Sequence, residues 1–164
     1  MIKLLVLDVD GTMTDGKITY TNLGDEIKSF DVKDGMAIAS WTKKLNNHIA
    51  IITGRKSTIV ERRAKELGIK HLYQGADNKD EILQNILDEE NITWEEVAGI
   101  GDDLNDYKML KKVGLSFCVA DAVNDIKEIS DVVCQSNGGH GAIREMIEYI
   151  LKLDNKEELK SLWI

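Results

Sequence analysis

Six short apolar runs alternate with amphipathic helical patterns along this chain. That alternation confines it to a parallel sheet covered by helices on both faces. The runs lie at 4–7, 49–52, 71–73, 97–100, 115–119 and 132–134, and the helical patterns at 36–45, 58–67, 79–88, 106–113, 124–129 and 142–151. The expected fold class is α/β: a doubly wound, Rossmann-like parallel sheet. A length of 164 residues suits one domain with a sizeable core, so 1–164 reads as a single domain. Thr93 and Glu96 predict a capping box before the fourth strand, and Gly68 and Gly114 follow helices where a C-cap glycine belongs. One segment breaks the rhythm. Residues 17–21 and 26–30 read as two short strands around Asn22-Leu23-Gly24-Asp25, a β-hairpin inserted after strand 1 at about 17–30 and too short to form a cap domain. The tail, about 154–164, ends in Trp163-Ile164, an apolar pair that invites docking where termini otherwise fray.

In a sheet of this kind ligands bind outside the carboxyl ends of the strands. Four such ends carry unusual polar residues: Asp8-Val9-Asp10-Gly11-Thr12, Thr53-Gly54-Arg55, Gly75-Ala76-Asp77-Asn78-Lys79 and Gly101-Asp102-Asp103-Leu104-Asn105-Asp106. Each alone is a weak signal that a polar turn could also give, although Asp8–Thr12 favours function even by itself. Together they converge on one crevice whose chemistry is phosphoryl transfer. Carboxylates one residue apart repel each other, and burial penalises both, unless a cation and a phosphoryl group share the site. One carboxylate can attack phosphorus, and a second carboxylic acid can protonate the leaving alkoxide and then activate water. Clustered carboxylates can hold Mg²⁺, while a hydroxyl and a lysine offset phosphoryl charge.

The net charge of −8 argues against nucleic acid or an anionic membrane as a partner. No apolar run is long enough to span a bilayer and no signal-peptide pattern precedes the first strand, so the expected location is cytoplasmic. Cys118 and Cys134 match no zinc spacing and read as buried, reduced thiols. His48, His71 and His140 are scattered and read as structural, and Trp41 and Trp94 as partly buried packing residues.

In order and spacing the four strand-end motifs resemble the haloacid dehalogenase superfamily over the whole chain. The resemblance implies Asp8 as nucleophile and Asp10 as general acid/base, with Thr53 and Lys79 holding the phosphoryl group. It implies Mg²⁺ bound by Asp8, the Asp10 carbonyl and Asp102, with Asp103 and Asp106 supporting Lys79 and the metal site. A narrower resemblance rests on Thr14-Asp15-Gly16, the hairpin, Phe30-Asp31-Val32-Lys33-Asp34-Gly35, Ile52-Thr53-Gly54-Arg55, Arg63-Ala64 and Gly138-Gly139-His140-Gly141-Ala142-Ile143-Arg144-Glu145. These are similar to the capless family of 3-deoxy-D-manno-octulosonate 8-phosphate phosphatases, which form homotetramers. The departures are Lys33 for a usual arginine, Met36-Ala37 for an aromatic-glycine pair, and Thr12 for a frequent valine. By this resemblance Asp10, Gly54, Arg55, Arg63, Lys33, Asp34 and Asn105 contact substrate. Lys33, Arg62 and Arg63 also read as plain surface charges. Nine-carbon sugar-acid 9-phosphate phosphatases share the Gly101–Asp106 motif but tend to carry glutamate in place of Arg55, whose fork suits a sugar carboxylate. A phospho-receiver or a non-catalytic regulatory domain would also use such a fold. A receiver, however, places its phosphorylated aspartate on a later strand, and the third strand here ends in Gln74-Gly75.

Overall fold

The computed structural model describes residues 1–154 and 158–164. All six expected sheet strands form: β1 (Leu4–Leu7), β4 (His48–Ile52), β5 (His71–Tyr73), β6 (Val97–Gly101), β7 (Leu115–Cys118) and β8 (Val132–Val133). They make one parallel sheet in the order β5-β4-β1-β6-β7-β8. β1 is central and all four of its residues are buried, as a strand covered on both faces requires. The chain winds outward from β1 to β5, then returns to β6 on β1's other side. The switch in direction opens the crevice beside β1.

The first helix starts earlier than its apolar pattern indicates. α1 spans Val32–Ala39, because Asp31 caps it by accepting hydrogen bonds from the amides of Lys33 (2.7 Å) and Asp34 (3.1 Å). Gly35 lies inside it, and the Arg63 guanidinium packs where a Cβ would stand, 2.4 Å from Arg63 Nη2. A π-helical turn, Ser40–Lys44, continues α1 and buries Trp41 completely, more deeply than its expected partial burial. The remaining helices are α2 (Thr58–Glu66), α3 (Lys79–Glu90), α4 (Tyr107–Leu110), α5 (Asn124–Ile129) and α6 (Ala142–Leu153), with α6 packed on α1. α4 is shorter than its pattern: Asp106 belongs to a separate 3₁₀ turn, Leu104–Asp106, and the helix gives way to a turn after Leu110. The capping box of Thr93 and Glu96 is present, and Gly68 takes the left-handed C-cap conformation at φ 71°. Gly114 serves otherwise: a Cβ there would meet the Glu95 carbonyl oxygen at 2.4 Å, so close backbone packing requires the glycine.

The hairpin pairs β2 (Thr19–Tyr20) with β3 (Glu26–Ile27) as a separate two-stranded sheet. Ile18, Tyr20, Leu23 and Ile27 are exposed on it. Residues 155–157 of the tail lie outside the described residues. Beyond them Trp163 docks on the π-helical turn: its indole donates to Ser40 Oγ (2.9 Å) and Lys44 Nζ lies 3.8 Å from its ring centroid. Ile164 remains exposed.

Candidate active site

The carboxyl ends of β1, β4 and β6 and the start of α3 meet as expected. Asp8 follows the buried β1, and Lys79 is the first residue of α3. Lys79 Nζ donates to Asp8 Oδ1 and to Asp106 Oδ1, each at 2.6 Å, with its side chain 1% exposed. An ammonium at a helix N-terminus opposes the helix dipole, and the two carboxylates offset that cost. Burial pulls the Lys79 pKa down, but Asp8 and Asp106 outweigh burial and hold it above the ordinary value.

The other oxygen of Asp106, Oδ2, accepts from the amides of Asp102 (3.0 Å) and Asp103 (3.4 Å). Both Asp106 oxygens are thereby committed, and the residue is a brace for Lys79 and the β6 loop. Asp103 is not among the hydrogen-bond partners of Lys79, which are Asp8 and Asp106. It caps the 3₁₀ turn through Leu104 N at 2.7 Å, so its support of the site is confined to the loop backbone.

Asp102 carries the plainest sign of a missing ligand. Its Oδ1 is buried without a hydrogen-bond partner among the described residues. Donor oxygens of Asp8, Asp102 and Asp106 lie within 4.8 Å of one another. Burial, then the Asp106 charge, raises the Asp8 pKa to about 6. Burial, then the Asp8 charge, raises that of Asp102 to about 8. Buried like charges of this kind are relieved by a cation. The donors are all hard oxygens, which fits Mg²⁺. Gly11, at φ 91°, makes the room: a Cβ there would lie 1.9 Å from Asp102 Oδ2.

Thr53 is buried at the end of β4 and pinned by backbone hydrogen bonds to Tyr73 (2.9 Å) and from Ala76 (3.0 Å). Gly54 is exposed, and a Cβ built on it would lie 4.0 Å from Asn105 Nδ2, which brings Asn105 to the same rim. Arg55 donates to Glu26 of the hairpin at 3.0 Å, and its Nε lies 4.0 Å from Asp10 Oδ2.

Three expected substrate contacts are placed elsewhere. Asp34 Oδ1 accepts from Arg144 N at 2.9 Å, so this buried carboxylate caps α6. Arg63 packs against Gly35 and Phe30 and pairs with Glu66 at 3.3 Å, tying α2 to the hairpin's base. Lys33 is exposed on the first turn of α1.

The sequence reading missed Lys28. Its side chain pairs with Asp10 and, at 3.1 Å, with Glu26, and is only 2% exposed. The Glu26-x-Lys28 alternation was the available signal, because residues two apart on a strand share a face. Gly138 and Gly139 reach the same region. Gly139 N donates to Thr12 O at 3.0 Å, and a Cβ on Gly138 would lie 1.8 Å from Gly11 O.

Comparison with known proteins agrees with this geometry. Residues 71–147 match the family model of haloacid dehalogenase-like hydrolases. The chain is 45% identical over 155 residues to the 3-deoxy-D-manno-octulosonate 8-phosphate phosphatase KdsC of Salmonella typhi, covering 94% of this chain and 82% of that protein. Among solved structures, it is similar to the Moraxella catarrhalis enzyme of that name in complex with magnesium, phosphate and KDO, at TM-score 0.91 and 42% identity, covering 94% of this chain and 88% of that one. The cobalt-bound Haemophilus influenzae phosphatase superposes with TM-score 0.88 at 38% identity, covering 94% and 90%.

Proposed function

The chain belongs to the haloacid dehalogenase-like hydrolases, in the family of the KdsC phosphatases, and on that premise we propose that it hydrolyses 3-deoxy-D-manno-octulosonate 8-phosphate to the free sugar acid and phosphate. The observation that carries the reading is Lys79 bridging Asp8 and Asp106 beside the unpartnered Asp102 Oδ1. Asp8 Oδ2, the oxygen that Lys79 leaves free, attacks phosphorus and forms an aspartyl phosphate. Asp10 protonates the departing sugar alkoxide, then takes a proton from the water that hydrolyses the intermediate. Lys79 and the Thr53 hydroxyl hold phosphoryl oxygens, and Asp106 keeps Lys79 in place. Mg²⁺ would be held by Asp8, the Asp10 carbonyl and Asp102, and when bound it neutralises charge on nucleophile and phosphate. Gly54, Arg55 and Asn105 form the rim that meets the sugar, with Arg55 facing its carboxylate.

The same reading assigns one phosphatase domain, a homotetramer and a cytoplasmic location. The exposed apolar residues of the hairpin support the tetramer, since a two-stranded sheet is marginal until it packs on something. The two free, buried cysteines suit a reducing compartment. No helix among the described residues is long and apolar enough to cross a membrane. The test is Mg²⁺-dependent phosphate release across eight- and nine-carbon sugar-acid phosphates. The eight-carbon ester should be the best substrate, and Asp8→Asn should release nothing. A preference for the nine-carbon ester would overturn the substrate, and release by Asp8→Asn would overturn the nucleophile.

A further inference from the structure

At the opposite end of the sheet a second group of ligating side chains converges. His48 opens β4, His71 opens β5 and Glu90 closes α3. His71 pairs with Ala50, two residues beyond His48, so both imidazoles leave the same face of the sheet. Glu90 lies between them. Its Oε1 is 2.7 Å from His71 Nε2 and its Oε2 3.6 Å from His48 Nε2. One donor atom from each of the three lies within 4.8 Å of the other two. The left-handed C-cap at Asn91, φ 53°, ends α3 immediately after Glu90 and fixes where that carboxylate stands.

The geometry points to a second metal site here, taking a borderline transition ion such as Zn²⁺ through His48, His71 and Glu90. Two imidazole nitrogens and one carboxylate oxygen form a three-ligand set. The half-exposed His48 side leaves the fourth position to water. Nitrogen donors discriminate against Mg²⁺, which prefers oxygens, so this site and the all-oxygen crevice select different ions. Lys70 is the cation that faces the cluster: it pairs with Glu90 Oε1 and lies 3.9 Å from Glu89 Oε1. Both Lys70 and Glu89 are more than half exposed, so Lys70 can turn to Glu89 as the metal replaces it. A bound ion would tie β4, β5 and α3 together about 16 Å from Thr53 at the far end of β4, taking about 3.3 Å per strand residue. It would therefore act on stability and leave the chemistry alone.

The test titrates the full chain with Zn²⁺ at saturating Mg²⁺, counting bound zinc by equilibrium dialysis and following Tm. We expect one Zn²⁺ per chain and a raised Tm. His48→Gln should weaken zinc binding by about tenfold or more and abolish the Tm shift, with Mg²⁺-dependent phosphate release unchanged. Asp102→Asn, which strips the crevice of a ligand, should retain the zinc. Three results would each overturn the site: no zinc held at saturating Mg²⁺, equal zinc in His48→Gln, or zinc lost in Asp102→Asn.

Discussion

Lys28 of the hairpin is ion-paired with Asp10 of the catalytic loop, and the lysine side chain is buried in making that pair. Burial pulls the Lys28 pKa down, but Asp10 and Glu26 outweigh it and keep the ammonium charged. The hairpin of a chain thus reaches that chain's own Asp10, the proposed acid/base residue. Lys28→Met keeps the apolar stem and removes the charge. It should lower kcat/KM on the sugar-acid phosphate by about tenfold or more, with partial recovery in Lys28→Arg. Steady-state kinetics equal to wild type would make the pair structural only.

Asp8 and Asp102 give the metal-free protein a pH-dependent liability. Both carboxyls titrate above their ordinary value in the folded chain, so the folded state binds more protons than the unfolded one. Stability from these groups is present at low pH and lost as pH rises through about 6 for Asp8 and about 8 for Asp102. In chelator, Tm should therefore be lower at pH 8 than at pH 5, and Mg²⁺ should narrow the gap. Asp102→Asn should raise the metal-free Tm at pH 8 by a few degrees, at about 2–4 °C per kcal/mol, and remove the response to Mg²⁺.

Arg55 is anchored at one nitrogen by Glu26, and its fork keeps further donors for a ligand. Arg55→Gln should raise KM for the sugar-acid phosphate by about tenfold or more, the scale of a lost charged hydrogen bond. A small neutral phosphate ester should be affected less. Equal losses on both substrates would assign Arg55 to phosphate binding or to holding the hairpin.

Asp34 makes a different case. Burial first, with Asp31 adding, raises its pKa from 3.8 to about 6 despite the amides of α6. A raised carboxyl stabilises the fold below its unfolded pKa, and that contribution is lost as pH climbs through about 6. Asp34→Asn keeps an acceptor for Arg144 N without the charge. Between pH 4 and pH 7 the stability difference should move toward the variant by about 1–3 kcal/mol, read from urea midpoints. KM should stay unchanged, and a raised KM would return Asp34 to the substrate.

Replacing residues 17–30 with a short loop should remove Glu26 and Lys28 from the crevice together with the exposed apolar strip. Light scattering should then report a smaller assembly, and activity on the sugar-acid phosphate should be lost. Full activity in a single-chain species would refute the tetramer as a requirement.

The strand-end residues were legible because a buried parallel strand exposes polar side chains only where it ends. Asp8, Thr53 and Asp102 announce themselves by following apolar runs. The capping role of Asp34 was not legible, for the opposite reason. Its partner, Arg144 N, is 110 residues away, and no local pattern in α1 signals a carboxylate that caps another helix. The start of α1 was hidden because the apolar pattern begins only at Met36, whereas the helix begins at Val32 under the Asp31 cap. His48 and His71 were read as structural because strand pairing, not spacing along the chain, brings them together with Glu90.

The wholly buried β1 holds Asp8, the proposed nucleophile, in the least deformable part of the molecule, whereas the hairpin that touches Asp10 and Arg55 is joined to the large sheet through loops. Mutational drift is therefore felt unequally. Changes beneath Asp8 would disturb close packing, while changes at positions 17–30 would alter the reach and charge of the rim at little cost to folding. A lineage built on this plan can change the acid it accepts without reinventing how it cleaves the ester.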